Sequence, residues 1–296
     1  MRWLAWIFYL GVVTCLRAEQ ETVVEAEPSP GFIRVAEADD ATRLQTAVVK
    51  FTKGEASVEL VGAVHIADRK YYQALNKRFE AYDALLFEGI GGGKPAAGIA
   101  AEKEAPVAPD VDPGVPRRKG KLDGLHTAYE SGARWLGLSY QMKEIDYGKA
   151  NFVHADLSMD EFIALQAERG ESLIGFALKA GLKKPEGEPV KEPNSFKMLT
   201  SLVRGDKDGL KRELVHSLGA GDDQVAALAG DNVIIGDRNA KCLQVLDREV
   251  LAGRKKLGIF YGAAHFPDMT RRLRESGWAE GELEWLTAWE IGKPEE

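Results

Sequence analysis

Two segments 200 residues apart place a histidine in the same setting: Gly62-Ala63-Val64-His65-Ile66-Ala67-Asp68 and Gly262-Ala263-Ala264-His265-Phe266-Pro267-Asp268. Both read G-A-x-H-x-x-D. Each follows an apolar run suited to a strand and precedes helical spacing. The run that comes next ends in an aromatic residue and a glutamate, Phe87-Glu88 in one copy and Trp289-Glu290 in the other. A glycine at a strand end lets the chain turn and lets a ligand approach the backbone. A histidine just beyond lies at the carboxyl edge of the sheet, where open α/β sheets take their ligands. If His65, Glu88 and His265 meet there, two imidazoles and a carboxylate make a divalent-metal set with positions left for water. A bound metal would lower the pKa of that water and polarise a carbonyl. A lone histidine is usually a packed or surface residue, so the repeated context carries the argument.

Other polar residues have less support. Gln141, Asp146, His154 and Asp156 could line a cleft, but hydrogen bonding to strand ends is the more ordinary role. Arg238, opening a helix, suits either a substrate carboxylate or a buried acid. Asp68 and Asp268 fall where helices begin and are expected to cap them. Glu290 is read as structural, and His126 and His216 as solvated residues on helices.

Elements that must position these groups can be read from periodicity. Strands are expected at 46–51, 57–61, 84–87, 141–147 and 257–261, and the apolar run 285–291 closes the second copy. Tyr72, Leu75 and Phe79 predict a helix over 68–80, and others are expected at 122–132 and 237–250. Ser158-Met159-Asp160-Glu161 has capping-box form. It opens a helical insertion over 158–230. Residues 89–121 hold Gly91-Gly92-Gly93, five prolines and no aromatic residue, and read as a flexible insertion or a lid at the root of the site. The expected fold is α/β: a mixed sheet from two pseudo-repeated β-α-β halves around a helical insertion.

The chain of 296 residues opens with Arg2, an apolar run from Trp3 to Val13 and a small residue at Ala18. This reads as a signal peptide over 1–18, followed by a polar tether over 19–45 and the domain over 46–296. The run is short for a membrane span, although the N-terminus also allows membrane attachment, with Cys15 as a poor lipidation candidate. Cleavage after Ala18 would remove Arg2 and Arg17 and no acid, taking the formal charge from −7 to −9. Such a surface argues against nucleic acid as a partner. Only Cys242 would remain, so no internal disulfide is available.

The two G-x-x-H motifs, the strand-ending Glu88 and the segment Asp237-Arg238-Asn239 resemble the TraB/Tiki superfamily, which includes PrgY and GumN-like proteins. The similarity spans roughly residues 55–291 and is loosest in the helical middle. It implies a fold similar to erythromycin esterase and the haem-binding ChaN protein, and a metal-dependent protease activity. By the same resemblance His65, His265 and Glu88 would be metal ligands or catalytic groups, and Arg238 would be the arginine of an E-R-N-like segment. Asn239 and Gln141 would then face substrate. Here that segment begins with Asp237 instead of glutamate. The expected protein is therefore an extracytoplasmic metal-dependent hydrolase of a peptide, amide or small molecule. The alternative is a non-catalytic protein that binds or sequesters peptide, haem or metal.

Overall fold

The computed structural model describes residues 31–90, 130–171, 194–226 and 232–292. The leader at 1–18, His126 and nearly all of the 89–121 insertion lie outside these residues.

The chain is an α/β protein built on a mixed sheet. In order come β1 (Ile33–Glu37), β2 (Ala41–Lys53), β3 (Ala56–Ala63), β4 (Ile66–Ala67), α1 (Arg69–Phe79), β5 (Ala84–Phe87), β6 (Ser139–Tyr140) and β7 (Phe152–His154). Helices α2 (Met159–Arg169), α3 (Ser195–Arg204), α4 (Lys207–Ala226) and α5 (Arg238–Leu251) follow. The chain then ends with β8 (Lys256–Gly262), α6 (Phe266–Glu275) and β9 (Ala279–Gly292). The expected strands at 57–61, 84–87 and 257–261 and the helices at 68–80 and 237–250 all fall where periodicity placed them, within two residues at either end. The sheet starts earlier than expected, because β1 and the first turn of β2 lie inside the stretch read as tether.

The segment 141–147 is not a strand. Gln141–Glu144 forms a single helical turn, after which Ile145, in extended backbone, and Tyr147, in a turn, are buried. Burial of Gln141, Ile145 and Tyr147 requires a four-residue step and then a two-residue step, which neither period alone provides. The short strand β7, by contrast, was not expected.

Strands β3, β8, β5 and β7 lie side by side and parallel, while β2 runs antiparallel to β3. One edge of β2 is shared by β1 and β3, and β9 runs antiparallel along the other. Two antiparallel steps give β9 the same direction as β3 and β8. The units β3-α1-β5 and β8-α6-β9 are thus both crossovers between strands of one direction. They step across the sheet in opposite senses, so right-handed connections must put α1 and α6 on opposite faces.

The core confirms that arrangement. Tyr71, Tyr72, Leu75 and Phe79 of α1 pack with Val61, Leu85, Phe87 and Phe260. Phe266, Met269 and Leu273 of α6 pack with Leu60, Leu86, Ile259 and Tyr261, alongside Cys242, Val245 and Leu246 of α5. Neighbouring residues of one strand enter opposite clusters, as the two-residue pleat requires. Each fully buried apolar side chain of this kind contributes roughly 1.5–3 kcal/mol. Ser158 and Glu161 form the expected capping box on α2. Asp68 and Asp268 do not cap through their side chains: Asp68 accepts from the Glu290 backbone N–H at 2.8 Å, and Asp268 lies one turn inside α6.

Candidate functional site

Four parallel strands end at one edge and present His65, His265, Glu88 and His154 there. Register pairs Ala63 with Gly262, and Phe87 with both Phe260 and His154. The two repeated motifs thus leave adjacent strands, and Glu88 leaves the strand on the far side of β8.

Of these groups, the structure brings His265 and Glu88 together. His265 Nε2 lies 3.6 Å from Glu88 Oε2. The imidazole is buried, set in the tight turn Ala263–His265, with its ring edge-on to Tyr261 at 5.2 Å between centroids. Its tautomer follows from its neighbours. Asn239 Nδ2 donates to the His265 carbonyl at 3.0 Å and to Asp268 Oδ2 at 2.9 Å, which are both acceptors. Asn239 Oδ1 must therefore face His265 Nδ1, 2.7 Å away, and accept its N–H. That leaves a lone pair on Nε2 directed at Arg238 Nη1, 3.3 Å away, and at the side of Glu88. Burial first, and the nearby Arg238 charge second, hold His265 well below its ordinary pKa and keep it neutral.

Arg238 organises the other side. It opens α5 directly after a π-helical turn, Val233–Asp237, whose start is capped by Asn232 Oδ1 on the Ile235 N–H at 2.8 Å. Its Nε and Nη2 donate to Asp156 at 2.9 and 2.7 Å, and Nη2 reaches Glu88 at 3.5 Å. Burial opposes the guanidinium charge, but the hydrogen bonds to Asp156 and the attraction of Glu88 and Asp156 raise its pKa further. The Asp156 side chain has no exposed surface and also accepts the Gly89 and Leu157 backbone N–H groups, both at 2.8 Å. Two carboxylates and one guanidinium, beside a neutral imidazole, formally leave one negative charge unbalanced. A surplus of that kind favours a cation.

His65 is placed differently. Its side chain is exposed at the end of β3, and among the described residues no three His, Cys, Asp or Glu side chains stand close enough to hold one metal ion. Its backbone is tightly held. Tyr71 Oη donates to the Gly62 carbonyl at 2.7 Å and Tyr72 Oη to Val64 at 3.0 Å. The Gln141 N–H reaches the His65 carbonyl at 2.9 Å, and Trp289 Nε1 reaches Ile66 at 2.7 Å. Gly62 is closely approached, since a Cβ there would lie 3.1 Å from the Ala47 carbonyl oxygen.

The remaining expected site residues divide. Asn239 is fully buried and spends its amide on His265 and Asp268, so it orients the histidine and does not present itself to substrate. Gln141 is also buried: Nε2 donates to Tyr147 Oη at 2.7 Å, while Oε1 has no partner. His154 bonds the Gly89 carbonyl at 2.7 Å. His216 lies on α4, 3.6 Å from Glu37. Glu290 is held by Arg43 and Lys70 and stands apart from Glu88. Asp237 pairs with Arg169 at 2.9 Å. Cys242 is core, its thiol pushed up by burial.

Sequence reasoning underweighted Asp156 and Asp268. Asp156 falls two residues past a strand too short to recognise. Asp268 looked like a cap, yet Arg271 and Arg272 at 2.6 and 2.7 Å neutralise it while it holds Asn239. These hydrogen bonds outweigh burial and lower its pKa. Compared with known proteins, the chain matches no family model, no curated protein and no solved structure.

Proposed function

We propose that this chain is an extracytoplasmic hydrolase of peptide or other amide bonds, working through His265 and Glu88 with a divalent metal ion. The observation that carries the reading is the aimed Nε2 lone pair of a neutral, buried imidazole 3.6 Å from a carboxylate oxygen. Metal bonds of about 2.0–2.2 Å put two tetrahedral ligands about 3.4 Å apart, so the spacing of this pair suits one ion, which would take the place of the Arg238 Nη1 and Nη2 contacts to His265 and Glu88. The formal surplus of negative charge suits it too. His65, on a loop held at four consecutive or near-consecutive carbonyls, would supply a third ligand. A bound ion of this kind would polarise a carbonyl and acidify water.

The chain's own residues supply the rest. Asn239 and Asp268 keep the Nε2 face unprotonated, and Glu88 is positioned to accept a proton from the attacking water. Arg238, fixed by Asp156, offsets the charge that develops as a carbonyl is attacked. The finer fold assignment belongs to the same proposal: a TraB/Tiki-like chain of two related β-α-β halves, similar to the erythromycin esterase and ChaN fold. The sheet supports this through its two crossovers of one direction. The leader-like N-terminus supports export, with membrane attachment as a second use of the same segment.

The test is elemental analysis of purified protein after exposure to zinc and manganese, combined with turnover of a mixed peptide library. One ion per chain, lost in His265→Ala and His65→Ala, and peptide cleavage lost in Glu88→Gln, are expected. Stoichiometric metal in His265→Ala would end the metal assignment. Tight retention of peptide, haem or metal without turnover would favour the binding or sequestering alternative.

A further inference from the structure

Helix α3 presents an apolar face to solvent. Phe196, Leu199 and Val203 fall at i, i+3 and i+7 on one side and are 74%, 57% and 80% exposed. Trp135, at the end of the helical segment 130–136, adds a ring that is 58% exposed. Between these elements lies a groove of about 510 Å³ lined by Trp135, Leu136, Met198, Leu199, Leu202 and Leu210. Single exposed apolar residues need no explanation, but a contiguous patch with a groove beneath it does.

The charge around the patch selects its partner. In a chain of formal charge −7, α3 carries Lys197 and Arg204 and no acidic residue. Lys207 follows at the start of α4 between Asp206 and Asp208, Lys197 stands 3.9 Å from Glu213, and Arg134 beside Trp135 pairs with Glu130, so the stretch 194–214 carries five basic residues against three acidic ones. An apolar helix face with an aromatic residue and a basic rim is the pattern of a helix that lies in a bilayer interface. A ten-residue helix is about 15 Å long, half of a hydrocarbon core, so it would lie on the surface and not cross it.

We infer that the α3 face docks on an anionic phospholipid surface, with acyl chains entering the Trp135–Leu202 groove and Lys197, Arg204 and Lys207 meeting phosphates. This is independent of the hydrolase reading. Because α4 packs against β1 and against the turn carrying His265, docking would hold the sheet edge close to the bilayer.

The experiment is flotation of the full chain with vesicles of phosphatidylglycerol and phosphatidylcholine, compared with phosphatidylcholine alone, at low and high salt. Full-length variants keep any contribution of the apolar N-terminal run common to every sample. Leu199→Glu/Val203→Glu, both at exposed positions, is expected to weaken binding to anionic vesicles by at least about tenfold, with an unchanged circular dichroism spectrum. Lys197→Gln/Arg204→Gln is expected to lose about tenfold on anionic vesicles and little on neutral ones. Equal binding of wild type and Leu199→Glu/Val203→Glu would overturn the inference. So would equal binding to both vesicle types, or self-association that the same variant abolishes.

Discussion

Arg238 grips Asp156 with two nitrogens, Nε at 2.9 Å and Nη2 at 2.7 Å, across 82 positions of sequence. Both partners are largely removed from water, with 12% and 0% of their side chains exposed. Replacing Arg238 with Met would leave Asp156 as an uncompensated buried charge, a loss of about 3–5 kcal/mol. Arg238→Met/Asp156→Leu should recover much of it, because no charge is then stranded. Urea unfolding of both variants measures this, and an equally destabilised double variant would count against the pair as described.

Asn239→Leu should disturb His265 without moving the strand that carries it. The Nδ1–H would lose its acceptor Asn239 Oδ1 at 2.7 Å, at a cost of about 1–3 kcal/mol. Nitrogen-15 spectra should change from a single Nδ1–H tautomer to a mixture. A single unchanged tautomer in the variant would refute the orienting role of Asn239.

Stability should depend on pH through His265. Its folded pKa lies well below the ordinary 6.5, so beneath pH 6.5 the unfolded chain takes up a proton that the folded chain refuses. The contribution is complete above that value and declines as pH falls toward the folded pKa, by at most about 1.4 kcal/mol per pH unit. His265→Gln should flatten the profile between pH 6.5 and 4 relative to wild type. The depressed pKa of Asp268 acts only below its ordinary value of 3.8, which separates the two effects. Parallel profiles for the two proteins would contradict the assignment.

Gly258 should tolerate no side chain. A Cβ there would come within 2.7 Å of Leu85 Cδ1 and of the Tyr82 ring. Gly258→Ala is expected to cost about 1–3 kcal/mol by overpacking. Combined with Leu85→Ala, which removes one of the two clashing groups, the two losses should be less than additive, readable in the thermal midpoints of the double-mutant cycle. No shift at all in the single variant would mean that β8 packs less closely than described.

The features legible in the sequence were those set by local period. Ala84–Phe87 and the run ending at Tyr261 announce buried parallel strands by apolar content alone, and Tyr72, Leu75 and Phe79 announce one helix face. The repeat drew attention to His265 and Glu88, which lie 3.6 Å apart because both leave parallel strands at one edge. Pattern could not reveal which strand lies between which others. It could not show that Asn239 turns inward to His265, or that Asp268 supports that amide from inside a helix. Asp156 was hard to weigh for a related reason: its partner is specified by topology, not by spacing.

The strand order has a consequence for biosynthesis. Strand β8 belongs to the final 41 residues, Lys256–Glu296, yet it fills the gap between β3 and β5, and β9 covers the remaining edge of β2. While the ribosome is still making the middle of the protein, β1, β2 and β3 can pair with one another and β5 with β7, but β3 and β5 lack the strand that joins them and the edge that gathers His265 and Glu88 does not exist. The polypeptide is thus kept from closing its sheet until β8 and β9 have been delivered. Such a delay in long-range pairing slows folding.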